Sequence, residues 1–168
     1  MKKQQQALKK LQDIVAADLP GLERNIIIRD GQNIIAFGCY KIIPKDDTFH
    51  VFRWVTPMGV FSSSRLALSW CIADKYQKHT LANDIMRFSQ QQNLLTSDLR
   101  ARSALAKSIQ HPRWRENVEL KIEHKKQRLQ IIEFQLDKCV NLAKYWQLRG
   151  FNNETARTGR TASPRASR

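Results

Sequence analysis

The sequence predicts an α+β fold: an N-terminal helix, a small antiparallel meander of three to four strands, a helix packed on it and a long helical hairpin. Three observations predict it. Between residues 26 and 61, β-branched and aromatic runs are punctuated by turn residues. From Ser63 onward the apolar residues recur at helical spacing. After His111-Pro112 a long segment repeats its apolar residues every seven positions.

Residues 2–18 read as a short amphipathic helix with Leu8, Leu11, Ile14 and Val15 on one stripe, ended by Pro20 and Gly21. In "RNIIIRDGQNIIAFGCYKII" two apolar runs flank Asp30-Gly31, a dipeptide that tolerates the positive φ angles of a tight hairpin. Gly38 inside the second run marks a bulge or bend. Pro44–Asp47 form the next turn. In "TFHVFRWV", Phe49, Val51, Arg53 and Val55 alternate with His50, Phe52 and Trp54. A lone sheet must cover one face, and the aromatic pair Phe52 and Trp54 is assigned to that covered face, leaving Arg53 outside. Pro57 and Gly59 suit a type I turn before a short strand at Val60-Phe61.

The following helix is expected from Ser63 to about Gln92, striped by Leu66, Trp70, Ala73, Leu81, Ile85 and Phe88. A break is expected near "NLLTSD", with Thr96 capping the next helix. Proline at the first helical position starts the last helix at Pro112, and Gly150 closes it after residue 148. Within it Ile122, Leu129, Leu136 and Ala143 are seven apart, with Ile132, Cys139 and Trp146 between them, a coiled-coil-like seam. The expected division is residues 1–92 as an α-meander-α domain, 93–148 as a helical hairpin or coiled-coil-like extension, and 149–168 as a disordered basic tail.

Charge then narrows function. The 168 residues carry a net charge of +14, above the magnitude of about 2–8 that solubility alone requires. Positive charge is spread along the chain and densest in the last 20 residues, which hold five Arg and one Glu. Such a chain is drawn to polyanions. Cys39, Cys71 and Cys139 are far apart and form no C-x-x-C pair, which argues against a disulfide framework or a zinc site and for a reducing compartment. "MKKQQQALKKLQDIV" lacks the apolar core of a signal peptide, and no run approaches a membrane span. The expected location is therefore the cytoplasm, either host cytoplasm or a virion for a phage-encoded chain.

Catalytic patterns are absent from the sequence. Ser62, Ser63 and Ser64 belong to no G-x-S-x-G elbow and no Ser-x-x-Lys occurs; one of them is expected to cap a helix, with a phosphate contact assisted by Arg65 as the alternative. His50, His79, His111 and His124 never pair at i, i+3 or i, i+4, so no metal is expected, and no cofactor. Asp46 and Asp47 are turn residues, and Glu116, Glu119 and Glu123 interleave with lysines as a solvated helical face.

Gly59, Phe61, Ser62 and Ala67, at the end of a three-strand run, resemble the AP2 or integrase-type DNA-binding module, in which a sheet reads the major groove. The resemblance covers roughly residues 33–76, and it implies contacts by Arg29, Lys41 and Arg53. A helix ahead of a meander and a helix is also similar to the order of double-stranded RNA-binding domains, without their Lys-rich last helix start. The small sheet, long helices and basic tail resemble the style of small phage proteins.

The expected function is non-enzymatic binding of a polyanion, most simply DNA or RNA, through Arg29, Lys41, Arg53, Arg65 and the tail residues Arg157, Arg160 and Arg165. The alternative is a structural or assembly protein, such as a phage virion component, that oligomerises through Ile122, Leu129, Ile132, Leu136 and Cys139 of the last helix. A small enzyme would need a cleft built from residues distant in sequence.

Overall fold

The computed structural model describes residues 25–29 and 33–159, with Gln6, Lys9 and Asp13 ahead of them. Gln6, Lys9 and Asp13 of the expected N-terminal helix are helical and exposed, and the rest of it lies outside the described residues, as do Asp30-Gly31 and residues 160–168.

Five antiparallel strands follow one another in sequence order: β1 (Ile26–Arg29), β2 (Asn33–Ala36), β3 (Tyr40–Lys45), β4 (Thr48–Arg53) and β5 (Thr56–Phe61). β1 and β2 pair antiparallel with Arg29 opposite Asn33. The apolar run read as one strand over residues 33–43 is two, because the chain reverses at Phe37-Gly38-Cys39. Gly38 is the bend foreseen there, with φ of 75°, but Phe37 before it also takes a positive φ of 51°. A bulge between Val51 and Phe52 shifts the β4–β5 register, which matches the twist that bulges add to a strand pair.

Among the described residues three helices follow the sheet: α1 (Ser64–Lys75), α2 (His79–Ser108) and α3 (Pro112–Gly159). Ser63 caps α1, its hydroxyl accepting from the Leu66 N–H at 3.2 Å. Phe61 and Trp70 are buried and their rings lie 6.3 Å apart, so the strand that ends at the cap is anchored to the helix that begins there. Each such aromatic contributes about 1.5–3 kcal/mol by leaving water.

The expected helix over 63–92 is interrupted. α1 ends at Tyr76, Gln77 adopts φ of 55°, and the N–H groups of Gln77 and Lys78 bond back to Asp74 O and Ala73 O at 3.0 and 2.8 Å. This is a Schellman closure, built on glutamine where glycine is usual. By contrast, no break occurs near residues 93–98. α2 runs through them unbroken, since Thr96 and Ser97 sit among residues of good helical propensity and Leu95 is buried.

α3 also outlasts its expected end. It passes through Gly150 and continues to Gly159, so residues 149–159 are helix where a disordered tail was expected. Gly150 is not a terminator here: its α-carbon lies against the Tyr76 ring, and a side chain at that position would overlap it.

One core joins the sheet to all three helices, from Ile34, Ile42 and Val51 through Leu68 and Ile72 to Ile85, Leu136 and Ala143. The sheet faces the helices with the opposite side from the one expected. Val51 is buried and Phe49 packs against the core, whereas His50 and Phe52 share the outer face and Trp54, in the β4–β5 turn, is 71% exposed. The deciding factor is cross-strand register. Ile34, Ile42 and Val51 lie in one row, and that all-aliphatic row makes the drier face.

The seam on α3 is likewise spent inside the chain. Ile122, Ile132 and Leu136 are buried, and Leu129 and Cys139 pack beside the core. These five residues were expected at an oligomer interface; α2 and α1 of the same chain cover them instead, because α2 returns antiparallel along α3 and buries the stripe first.

Candidate anion-binding groove

Lys41 and Arg53, two of the strand cations expected to act together, lie on opposite faces of the sheet. Register places Lys41 on the outer face of the sheet, in a row with Ile35, and the backbone of Arg29 pairs with Asn33 at the end of β1. Arg53 pairs with Tyr40 and belongs to the helix-covered side. Arg65 sits in the first turn of α1 with a buried Nε, one helix length (about 18 Å at 1.5 Å per residue) from Arg53's neighbours at the other end. Arg157 falls in the last turns of α3, its side chain outside the described residues, and Arg160 and Arg165 lie outside them altogether.

Arg53 lies in a site that sequence reading missed. Its Nη1 meets Asp74 Oδ2 at 3.3 Å, and the Tyr40 hydroxyl donates to the same oxygen. Burial, and after it the bond to Asp74, pushes the Tyr40 phenol well above its usual value, so the ring stays neutral and holds the carboxylate in place. Asp74 is thereby fixed between β3, β4 and the end of α1. The Arg53 side chain remains half exposed, with donors to spare.

Around this pair is a cavity of about 600 Å³, walled by Phe37, Tyr40, Arg53, Lys75, Gln77 and His79. Lys75 Nζ lies 4.3 Å from the centre of the Phe37 ring. A second cavity of about 670 Å³ shares Gln77 and His79 with the first and extends between α2 and α3 past Lys78, Arg87, Lys138 and Trp146. Lys78 Nζ stands 3.7 Å above Trp146, and Arg87 pairs with Asp84 at 3.0 Å.

Both cavities border the residues at the start of α2, and the local sequence leaves that terminus without a side-chain cap. Lys78 occupies the N-cap position with no side-chain cap bond, and the first turn holds no acidic residue. The first intrahelical bond runs from Ala82 N–H to Lys78 O at 2.9 Å. The N–H groups of His79, Thr80 and Leu81 thus precede the ladder and point toward the groove end of the helix, with the positive end of its dipole. Six basic side chains, Arg53, Lys75, Lys78, His79, Arg87 and Lys138, line the groove against two carboxylates, Asp74 and Asp84, each already paired with an arginine. Such an arrangement attracts anionic oxygen and disfavours cations.

Three non-glycine residues in left-handed conformation gather at this end of the molecule: Phe37, Trp54 and Gln77. The Trp54 N–H is tied to Cys39 O at 2.9 Å and the Phe37 N–H to Asn25 O at 2.8 Å. These tight reversals bring the β2–β3 and β4–β5 turns to the end of α1. The sequence signal was "DKYQKHT", with Lys75, Lys78 and His79 in five residues. Within one continuous helix over 63–92, those residues carry no special meaning.

Among the described residues, no three His, Cys, Asp or Glu side chains come together to hold a metal. No described helix is long and apolar enough to cross a membrane. Compared with protein-family models, curated proteins and solved structures, the chain matches none of them.

Proposed function

We propose that this protein binds nucleic acid without catalysing a reaction, seating backbone phosphates in the groove between the ends of the meander turns, the start of α2 and α3. The observation that carries this reading is that two cavities with Gln77 and His79 as common wall residues flank an uncapped helix start lined by basic side chains. Phosphate contacts of this kind dominate affinity and confer little sequence preference. A surplus of cations elsewhere on a chain of net charge +14 adds non-specific attraction.

Fluorescence anisotropy with a labelled single-stranded oligonucleotide tests the reading, comparing the parent with Lys78→Glu combined with Lys138→Glu. Both side chains lie at the groove and neither is in the buried core, so the fold should survive. The variant is expected to bind at least about tenfold more weakly, and its log affinity should fall less steeply with log salt, by roughly 0.7 for each phosphate that it no longer neutralises. A parent that fails to bind at low salt, or a variant that binds like the parent, contradicts the assignment.

A further inference from the structure

Helix α3 carries two stripes of apolar residues, and the described chain covers only one. On the side away from the core lie Leu120, Ile131, Phe134, Tyr145 and Leu148, exposed by 58, 61, 58, 51 and 46%. They fall on the seam of a second heptad frame, whose other seam positions are held by the exposed polar residues Asn117, His124, Gln127, Lys138 and Asn141. Large apolar groups rarely line one face of a helix in water without a partner.

Charge decides what that partner is. In this frame the flank before each seam position carries Glu116, Glu123 and Gln130, and the flank after it carries Lys121, Arg128 and Gln135. A parallel two-stranded coil brings each residue of the first flank against the residue five positions later on the other strand. Two copies of this helix laid in parallel would therefore place Glu116 against Lys121 of the second copy and Glu123 against Arg128, with Gln130 against Gln135. An antiparallel arrangement would set the acidic flank against itself and Lys121 and Arg128 against each other. In the parallel arrangement like charges meet at Lys144 with Arg149, near the C-terminal end, and at the seam position Lys138, which faces its own counterpart.

We infer that this protein pairs with a second copy of itself, in parallel and in register, through the outer face of α3. The contact lies on the opposite side of the helix from Ile122, Ile132 and Leu136, so it requires no rearrangement of the core. Ile131 and Phe134 lie clear of the groove, whereas Gln135 and Lys138 of the same frame border it.

Sedimentation equilibrium on the full chain tests the pairing. The parent should have twice the mass of one chain, and Ile131→Glu with Phe134→Glu should halve that mass while circular dichroism and the thermal transition of the folded chain persist. Glu123→Arg should weaken pairing roughly tenfold, since it turns two attractive contacts per dimer into repulsive ones, and adding Arg128→Glu in the same chain should restore it. Orientation is read from Gln127→Cys, which in a parallel pair lies close to its own counterpart and should oxidise to a covalent dimer that the parent does not form. A parent that is monomeric at about 100 µM, a concentration that would populate even a weak self-association, overturns the proposal. So does a dimer indifferent to the glutamates at 131 and 134, or one in which residue 127 fails to cross-link.

Discussion

Gly150 of α3 lies directly against the ring of Tyr76, the residue that ends α1, with no room between them for a β-carbon. This contact lets the last turns of α3 close over the end of α1, beside the groove. Alanine is intrinsically the better helix residue by about 1 kcal/mol, yet Gly150→Ala should lower stability by roughly 1–3 kcal/mol through overpacking. Urea denaturation checks the sign. A gain in stability would show that Tyr76 swings away freely.

Gln77 offers the complementary case. It holds φ of 55° at the position where helices usually place glycine. Gln77→Gly removes that strain and should raise stability by roughly 0.5–1 kcal/mol, despite the greater flexibility of glycine in the unfolded chain. The same denaturation series measures it.

The Tyr40–Asp74 contact predicts an alkaline signature. The folded-state value of the phenol is raised, so its contribution is fully present below the ordinary value of 10.0 and is lost as pH climbs above it, where the unfolded chain ionises first. Ultraviolet titration should show Tyr40 ionising only as the protein unfolds. In Tyr40→Phe this part of the alkaline destabilisation should disappear, and Arg53 should remain paired with Asp74.

At the thin end of the hairpin, Asp98 of α2 holds Arg102 at 3.1 Å and Lys125 of α3 at 2.5 Å. The hydrogen bond from Lys125, then that from Arg102, keeps the carboxyl below its ordinary value of 3.8. A depressed acid stabilises the fold above its unfolded value and loses that contribution as pH falls through the folded one. Asp98→Asn should therefore melt at lower temperature than the parent at neutral pH, with the difference closing in acid below 3.8.

Much of the architecture was legible because local chemistry and tertiary packing agree. Proline at position 112 starts a helix, Ser63 caps one, and alternation marked the strands. Reading failed where a residue acts against its usual role. Gln77 stops a helix without glycine or proline, and Gly150 continues one because a ring presses on it. The covered face of β4 was misread because two aromatics outweighed one valine locally, whereas the aliphatic row Ile34, Ile42 and Val51 that decides the matter comes from three strands. Of the candidate site, Arg53 alone was named in advance. The groove forms from residues 37 to 146, and only the fold brings them together.

The groove assignment is tested most directly by following backbone amide resonances during titration with an unlabelled oligonucleotide. The largest shifts should fall on His79, Thr80 and Leu81, with smaller ones at Lys75, Lys78 and Lys138, and they should shrink as salt is raised. Shifts concentrated instead on Ile35, Lys41 and Phe52, with residues 78–81 unmoved, would place the contact on the outer face of the sheet and contradict the account.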